Sequence, residues 1–246
     1  MRVTLLFVAA LVLAGCVTVP ESSEVGPVVR PDVPVTIQDM PEATQPSELT
    51  SRQEAIVAAA MLVVETQSTL VGDTTYNYDC SGTILTIYAH AGIYLVELFS
   101  RYPGNGVARL HGIARDYKLL HSRPLPEPGD LIFWDNTYDR NQDGSWNDPL
   151  THAGIVIGVD ENGTIEYVHH NYSRGIVTAR MTPGDPETHK NGDGEVLNSP
   201  MRMASQRAAN PDLWLSSHLL REFASMHRIE LAAASSSGEA AVASVP

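Results

Sequence analysis

Residues 152–171 read HAGIVIGVDENGTIEYVHHN, two apolar runs of strand length around a short polar stretch. Val and Ile dominate the first run and the second alternates apolar with polar, the habit of paired strands. DENG, Asp160 to Gly163, is built of residues that turn a chain. The pattern commits the chain to an antiparallel hairpin, and the rest of the domain must pack against it. There is also a local consequence. His152 opens one strand and His169 closes the other, so pairing brings two imidazoles to the same end of the hairpin.

Upstream, the apolar period is helical. Ser51-Arg52-Gln53-Glu54 has the spacing of a capping box, followed by the apolar run IVAAAMLVV. Its all-round apolarity predicts a helix buried on every side. GTILTIYAHAG reads as a second helix ending near Gly92, and Gly106 to His121 as a third. After the turn-rich PLPEPGD, the sequence DLIFWD reads as a buried strand. GIVTARM is a strand following the hairpin, and a last helix is expected near Pro211 to His227. Helices first and antiparallel strands after them predict an α+β domain.

The ends have a different composition. Met1 to Gly15 combine Arg2 with an apolar run from Val3 to Leu13, too short to span a bilayer and of signal-peptide length. Residues 16–50 are rich in Pro, Val, Glu, Ser and Thr without any period, which reads as a disordered tether. Residues 231–246 are low-complexity, so the folded domain is expected at 51–230. The full chain carries a net charge of −13, which argues against nucleic acid as a partner.

Only two cysteines occur, Cys16 and Cys80. Leu13-Ala14-Gly15-Cys16 resembles a bacterial lipobox, in which the cysteine becomes the lipidated first residue. Cys80, in YDCSG, is then without a partner, and exported structural cysteines usually come in pairs. It is either a small core residue or kept for its chemistry. Its place before an apolar helix turns the sulfur toward unsatisfied N–H groups and the positive end of the helix dipole, which predicts a lowered pKa. The same N–H groups suit an oxyanion, and Gly82 lets the turn pack closely. A nucleophilic cysteine needs a base, and the base needs an orienter. Of nine histidines, His90, His111, His121, His189, His218 and His227 fall on predicted helices, at their ends or in loops. His152 and His169 are the pair the hairpin joins.

YDCSG at a helix start, PGDLIFW, THAGIVIG and a further histidine on the next strand resemble the NlpC-type papain-like cysteine peptidases and the related CHAP amidohydrolase/peptidase domains. The resemblance covers about residues 52–181. It implies a papain-like fold, with helices packed on a small antiparallel sheet, and cleavage of amide bonds in peptidoglycan stem peptides. It also implies Cys80 as nucleophile, His152 as general base and His169 as orienter, with Tyr78, Asp79 and Ser81 meeting substrate. Asn171, and less readily His170, are rivals of His169 under the CHAP pattern. No cofactor is implied. The expected place is the cell envelope, on the periplasmic face of a membrane, held by the lipid on Cys16. A CHAP-type amidase cutting the sugar–peptide junction, and an idle wall-binding lipoprotein, are the alternatives.

The spacing from Cys80 to His152 is long for the NlpC pattern, the excess lying in NTYDRNQDGSWNDPL. There Asp139, Asn141 and Asp143 alternate ahead of Gly144, the oxygen rhythm of an EF-hand loop. Leu150 stands where the closing Glu belongs. A calcium loop and a loop held by its own Asx hydrogen bonds are both compatible with this stretch.

Overall fold

The computed structural model describes residues 48–209 and 212–230. The expected signal peptide, Cys16, nearly all of the tether and the tail at 231–246 lie outside the described residues. Helix α1 spans Ser51–Thr66, α2 Cys80–His90, α3 Val96–Phe99, α4 Gly106–Asp116 and α5 Ala204–Ala209. Strands β1 (Leu70–Val71) and β2 (Thr74–Thr75) pair only with each other. The main sheet comprises β3 (Leu120–His121), β4 (Leu131–Trp134), β5 (His152–Val159), β6 (Ile165–Asn171), β7 (Gly175–Met181) and β8 (Leu220–Ala224). Its order is β3-β8-β4-β5-β6-β7, and every neighbouring pair is antiparallel. The domain is therefore α+β, as the order of sequence periods implied.

Pairing on β4 explains the two-sided core. Leu131 and Phe133 face the helices, packing with Ile56, Val63, Ile84, Ile87 and Tyr88. Ile132 and Trp134 face the other way, into a second cluster with Tyr167, Met181, Leu219 and Phe223. A strand buried on both faces cannot alternate, which is why DLIFWD reads as continuous apolar sequence. The Trp134 indole N–H finds its partner at the Ser216 carbonyl, 2.8 Å away, so the segment before β8 closes over this second face.

Several predicted boundaries shift. The N-cap of α1 is Thr50, not Ser51: its side chain accepts from the Gln53 N–H while the Gln53 side chain accepts from the Thr50 N–H. The helix is not buried all round either. Gln53, Ile56, Ala59, Ala60 and Val63 face the core, whereas Met61 and Leu62 are exposed. Helix α4 stops at Asp116 because Lys118 turns left-handed, and His121 belongs to β3 instead. The helix expected near Pro211 to His227 is absent among the described residues, where β8 and a 3-10 turn at Met226–Arg228 take its place. LREFA has helix-forming residues, but its backbone bridges β3 and β4, and tertiary pairing outweighs a weak propensity.

Candidate active site

The hairpin forms in the register that joins the two histidines. Gly154 pairs with His169, which sets His152 and His169 side by side at one end. His152 Nε2 lies 2.9 Å from His169 Nδ1, with the rings edge to face. Trp134 and Tyr167 pack around them, with centroid distances of 5.7 Å from Trp134 to His152 and 5.4 Å from Tyr167 to His169. This shell buries His169 and leaves His152 only partly exposed, at the cleft. Burial pushes the His152 pKa down to about 4, assisted by His170, and holds His169 well below the usual range. Both rings are neutral at pH 7. With Nε2 engaged, Nδ1 of His152 is the nitrogen left to take a proton.

Helix α2 delivers the thiol. Asp79 is its N-cap, and Asp79 Oδ1 accepts from the Gly82 N–H and the Ser81 hydroxyl, each at 2.8 Å. Cys80 is thus the first helical residue rather than the one before the helix. The backbone N–H groups of Cys80, Ser81 and Ala153 face its sulfur. Ala153 follows His152, so the sulfur sits one residue along from the base. No hydrogen bond joins Cys80 to His152 among the described residues, but both line one cleft.

The lowered pKa that the helix start predicts for Cys80 is reversed in the structure. Burial, and then the Asp79 carboxylate, push the Cys80 thiol up to about 12, against the three N–H groups that favour the anion. Dehydration and a neighbouring negative charge outweigh the helix terminus. Cys80 and His152 are a neutral thiol and a neutral imidazole at rest.

The cleft has a volume of about 600 Å3. Tyr78, Asp79, Cys80, His152, His169 and His170 all line it. Tyr78 donates its hydroxyl to Gln67 Oε1 at 2.8 Å and stands edge-on to His170. Asp79 keeps Oδ2 without a hydrogen bond among the described residues. The Ser81 side chain, expected to meet substrate, does not line this cleft and is spent on Asp79. Asn171, the rival orienter, accepts from Ser173 and Arg174 through its Oδ1 and so pins the β6–β7 turn. His169 is the residue the structure brings to His152.

The insertion before β5 takes the Asx form. Asp139 accepts from the Gly144 N–H, Asn141 from the Asp143 N–H, and Asp143 from the Ser145 N–H. Asp148 accepts from the Arg140 N–H at 2.9 Å. Among the described residues no group of three His, Cys, Asp or Glu side chains is arranged to hold a metal ion. Sequence reasoning missed the far wall of the cleft, where Tyr138 from this insertion and Met201, Arg202, Met203 and Gln206 from the segment before β8 join the site. That segment has no period that announces it. No family model matches the chain, and comparison with curated proteins and with solved structures finds no match.

Proposed function

We propose that the protein is a lipid-anchored cell-envelope cysteine hydrolase of the papain-like NlpC/CHAP kind, cleaving amide bonds in peptidoglycan stem peptides. One observation carries the reading. A lone cysteine at the start of a buried helix shares a cleft with a histidine whose far nitrogen is held by a second histidine. A cysteine kept only for packing needs no such neighbours.

The neutral pair sets the order of events. His152 Nδ1 takes the Cys80 proton as the sulfur attacks the amide carbon, so thiolate is generated on attack rather than stored. The sulfur–carbon bond forms and the carbonyl π pair moves to oxygen, where N–H groups at the start of α2 stabilise it. Collapse expels the amine, which receives the proton from His152. Water, deprotonated by the same ring, then releases the acyl group as a carboxylate and restores the thiol. His169 holds the Nε2–H of His152 throughout.

The test is product analysis by mass spectrometry on defined muropeptides incubated with the full chain. Scission inside the stem supports the peptidase. Scission at the sugar–peptide junction moves the assignment to an amidase. Activity retained by Cys80→Ala refutes the mechanism, and binding without scission leaves a wall-binding role.

A further inference from the structure

The insertion before β5 meets the segment before β8 at one side chain. Arg202 is 4 % exposed. Its Nε donates to the Asn136 carbonyl at 2.8 Å, and its guanidinium lies over the Trp146 ring, 3.8 Å from the centroid. Both Nη atoms are buried and have no hydrogen-bond partner. Among the described residues no carboxylate pairs with it, and burial alone shifts its pKa, down to about 10. Arg202 lines the cleft together with Met201, Met203 and Gln206.

A buried cation with its terminal donors unused is unfavourable unless something anionic takes them. The charge balance adds to this. The chain carries −13 overall, yet its cleft holds Arg202 and the exposed Arg174 against a single carboxylate, Asp79. The need for solubility does not put a guanidinium inside a cleft. The mounting is rigid as well, since an aromatic face and a backbone carbonyl fix the plane of the group. A fixed fork with both Nη atoms unpaired matches the two oxygens of a carboxylate, which reaches them once the side chains covering them at the cleft wall give way.

We propose that Arg202 is an anion subsite of this cleft, taking a free carboxylate of the peptide substrate through Nη1 and Nη2 while the scissile amide lies at Cys80. That the carboxylate belongs to a stem peptide rests on the hydrolase reading; the demand for a carboxylate rests on the fork itself. The insertion then has a role without a metal: its Asx turns shape the loop from which Asn136 and Trp146 hold the arginine.

The test uses the full chain carrying Cys80→Ala, so that nothing is consumed. It is titrated calorimetrically with L-alanyl-γ-D-glutamyl-meso-diaminopimelate and with the same tripeptide converted to carboxamides. The amide is expected to bind about thirtyfold more weakly or worse. Arg202→Gln should bring the acid down to the level of the amide, and Arg202→Lys should recover part of the difference. Equal affinity for acid and amide, or no binding of either, overturns the subsite even where the Arg202 variants fail to fold, because that comparison leaves Arg202 in place. Displacement of the acid by inorganic phosphate at far lower concentration than by acetate also overturns the carboxylate assignment. Hydrolysis is followed separately with Cys80 intact. Cleavage of both peptides at equal rates removes the subsite and spares the hydrolase; acid-selective binding without cleavage does the reverse.

Discussion

His152 Nε2 and His169 Nδ1 stand 2.9 Å apart with one proton to share. For His152 to accept a proton at Nδ1, the shared proton must sit on its Nε2, with His169 Nδ1 accepting. His169 then carries its own proton on Nε2, a buried atom without a partner. Burial keeps His169 from ionising, so it serves as a fixed acceptor rather than a second base.

Removing that acceptor leaves the His152 tautomer free. His169→Ala is expected to lower kcat/KM by about a hundredfold to ten-thousandfold, as loss of an orienting group does. Asn171→Ala should instead loosen the β6–β7 turn by about 1 kcal/mol, the worth of a typical hydrogen bond, and leave kcat nearly unchanged. Steady-state kinetics and urea melts on both variants check this. A collapse of kcat in the Asn171 variant alone would transfer the orienting role to it.

The pH dependence follows from burial. The His152 pKa is pushed down to about 4, so the base stays unprotonated far below the range of a free imidazole. The acid limb of kcat/KM should therefore fall near pH 4 rather than near 6.5. Stability follows the same sign. A folded-state pKa below the unfolded one contributes stability that is complete above the unfolded value and lost as pH falls through the folded one. His121, His169 and His170 are shifted in the same direction, so the melting temperature should decline as pH drops from about 6.5 toward 4. An acid limb centred on the ordinary imidazole value would mean that its packing does not depress the pKa of His152.

The hairpin was legible in the sequence because a period of two dictates which residues share an end, and the strand limits His152–Val159 match the apolar run. The choice between His169 and Asn171 was not, since residues two apart on a strand point the same way. Only the turn that claims the Asn171 side chain separates them. Strands β3 and β8 were illegible for another reason: His121 pairs with Phe223 across a hundred residues, and neither strand has a pattern of its own. Arg202 was invisible because its environment comes from Asn136 and Trp146, distant in sequence. At Cys80 the helix terminus could be read from YDCSG, but dehydration, which reverses the expected shift, depends on packing that no local motif records.

Asp79 both caps α2 and, after burial, is the largest influence raising the Cys80 pKa. Asp79→Asn separates the two roles. Asparagine caps about as well as aspartate, so stability should change by less than about 0.5 kcal/mol. The lost charge should make the thiol more acidic and speed iodoacetamide alkylation at pH 8.5 several-fold. Asp79→Ala should cost about 1 kcal/mol through the lost cap. Alkylation at an unchanged rate in the Asn variant would show that the carboxylate does not act on the sulfur.

Gly82 ties the nucleophile to its loop. It is buried in the first turn of α2, where an added Cβ would overlap the backbone carbonyl of Asn77. A side chain in that position could rotate away; a carbonyl cannot move without dragging the loop that ends in Asp79. Gly82→Ala should therefore destabilise the domain by about 2 kcal/mol or more, the range of overpacking, and displace the cap that positions Cys80. Gly158, on β5, is the control, since a Cβ there meets nothing within 4 Å and its φ is not left-handed. Gly158→Ala should stay within about 0.5 kcal/mol of the parent chain. Urea melts of the two variants, with kcat measured where both remain folded, decide the matter: equal stability would mean that the loop does not press against the helix, and the thiol would lose the support that aims it into the cleft.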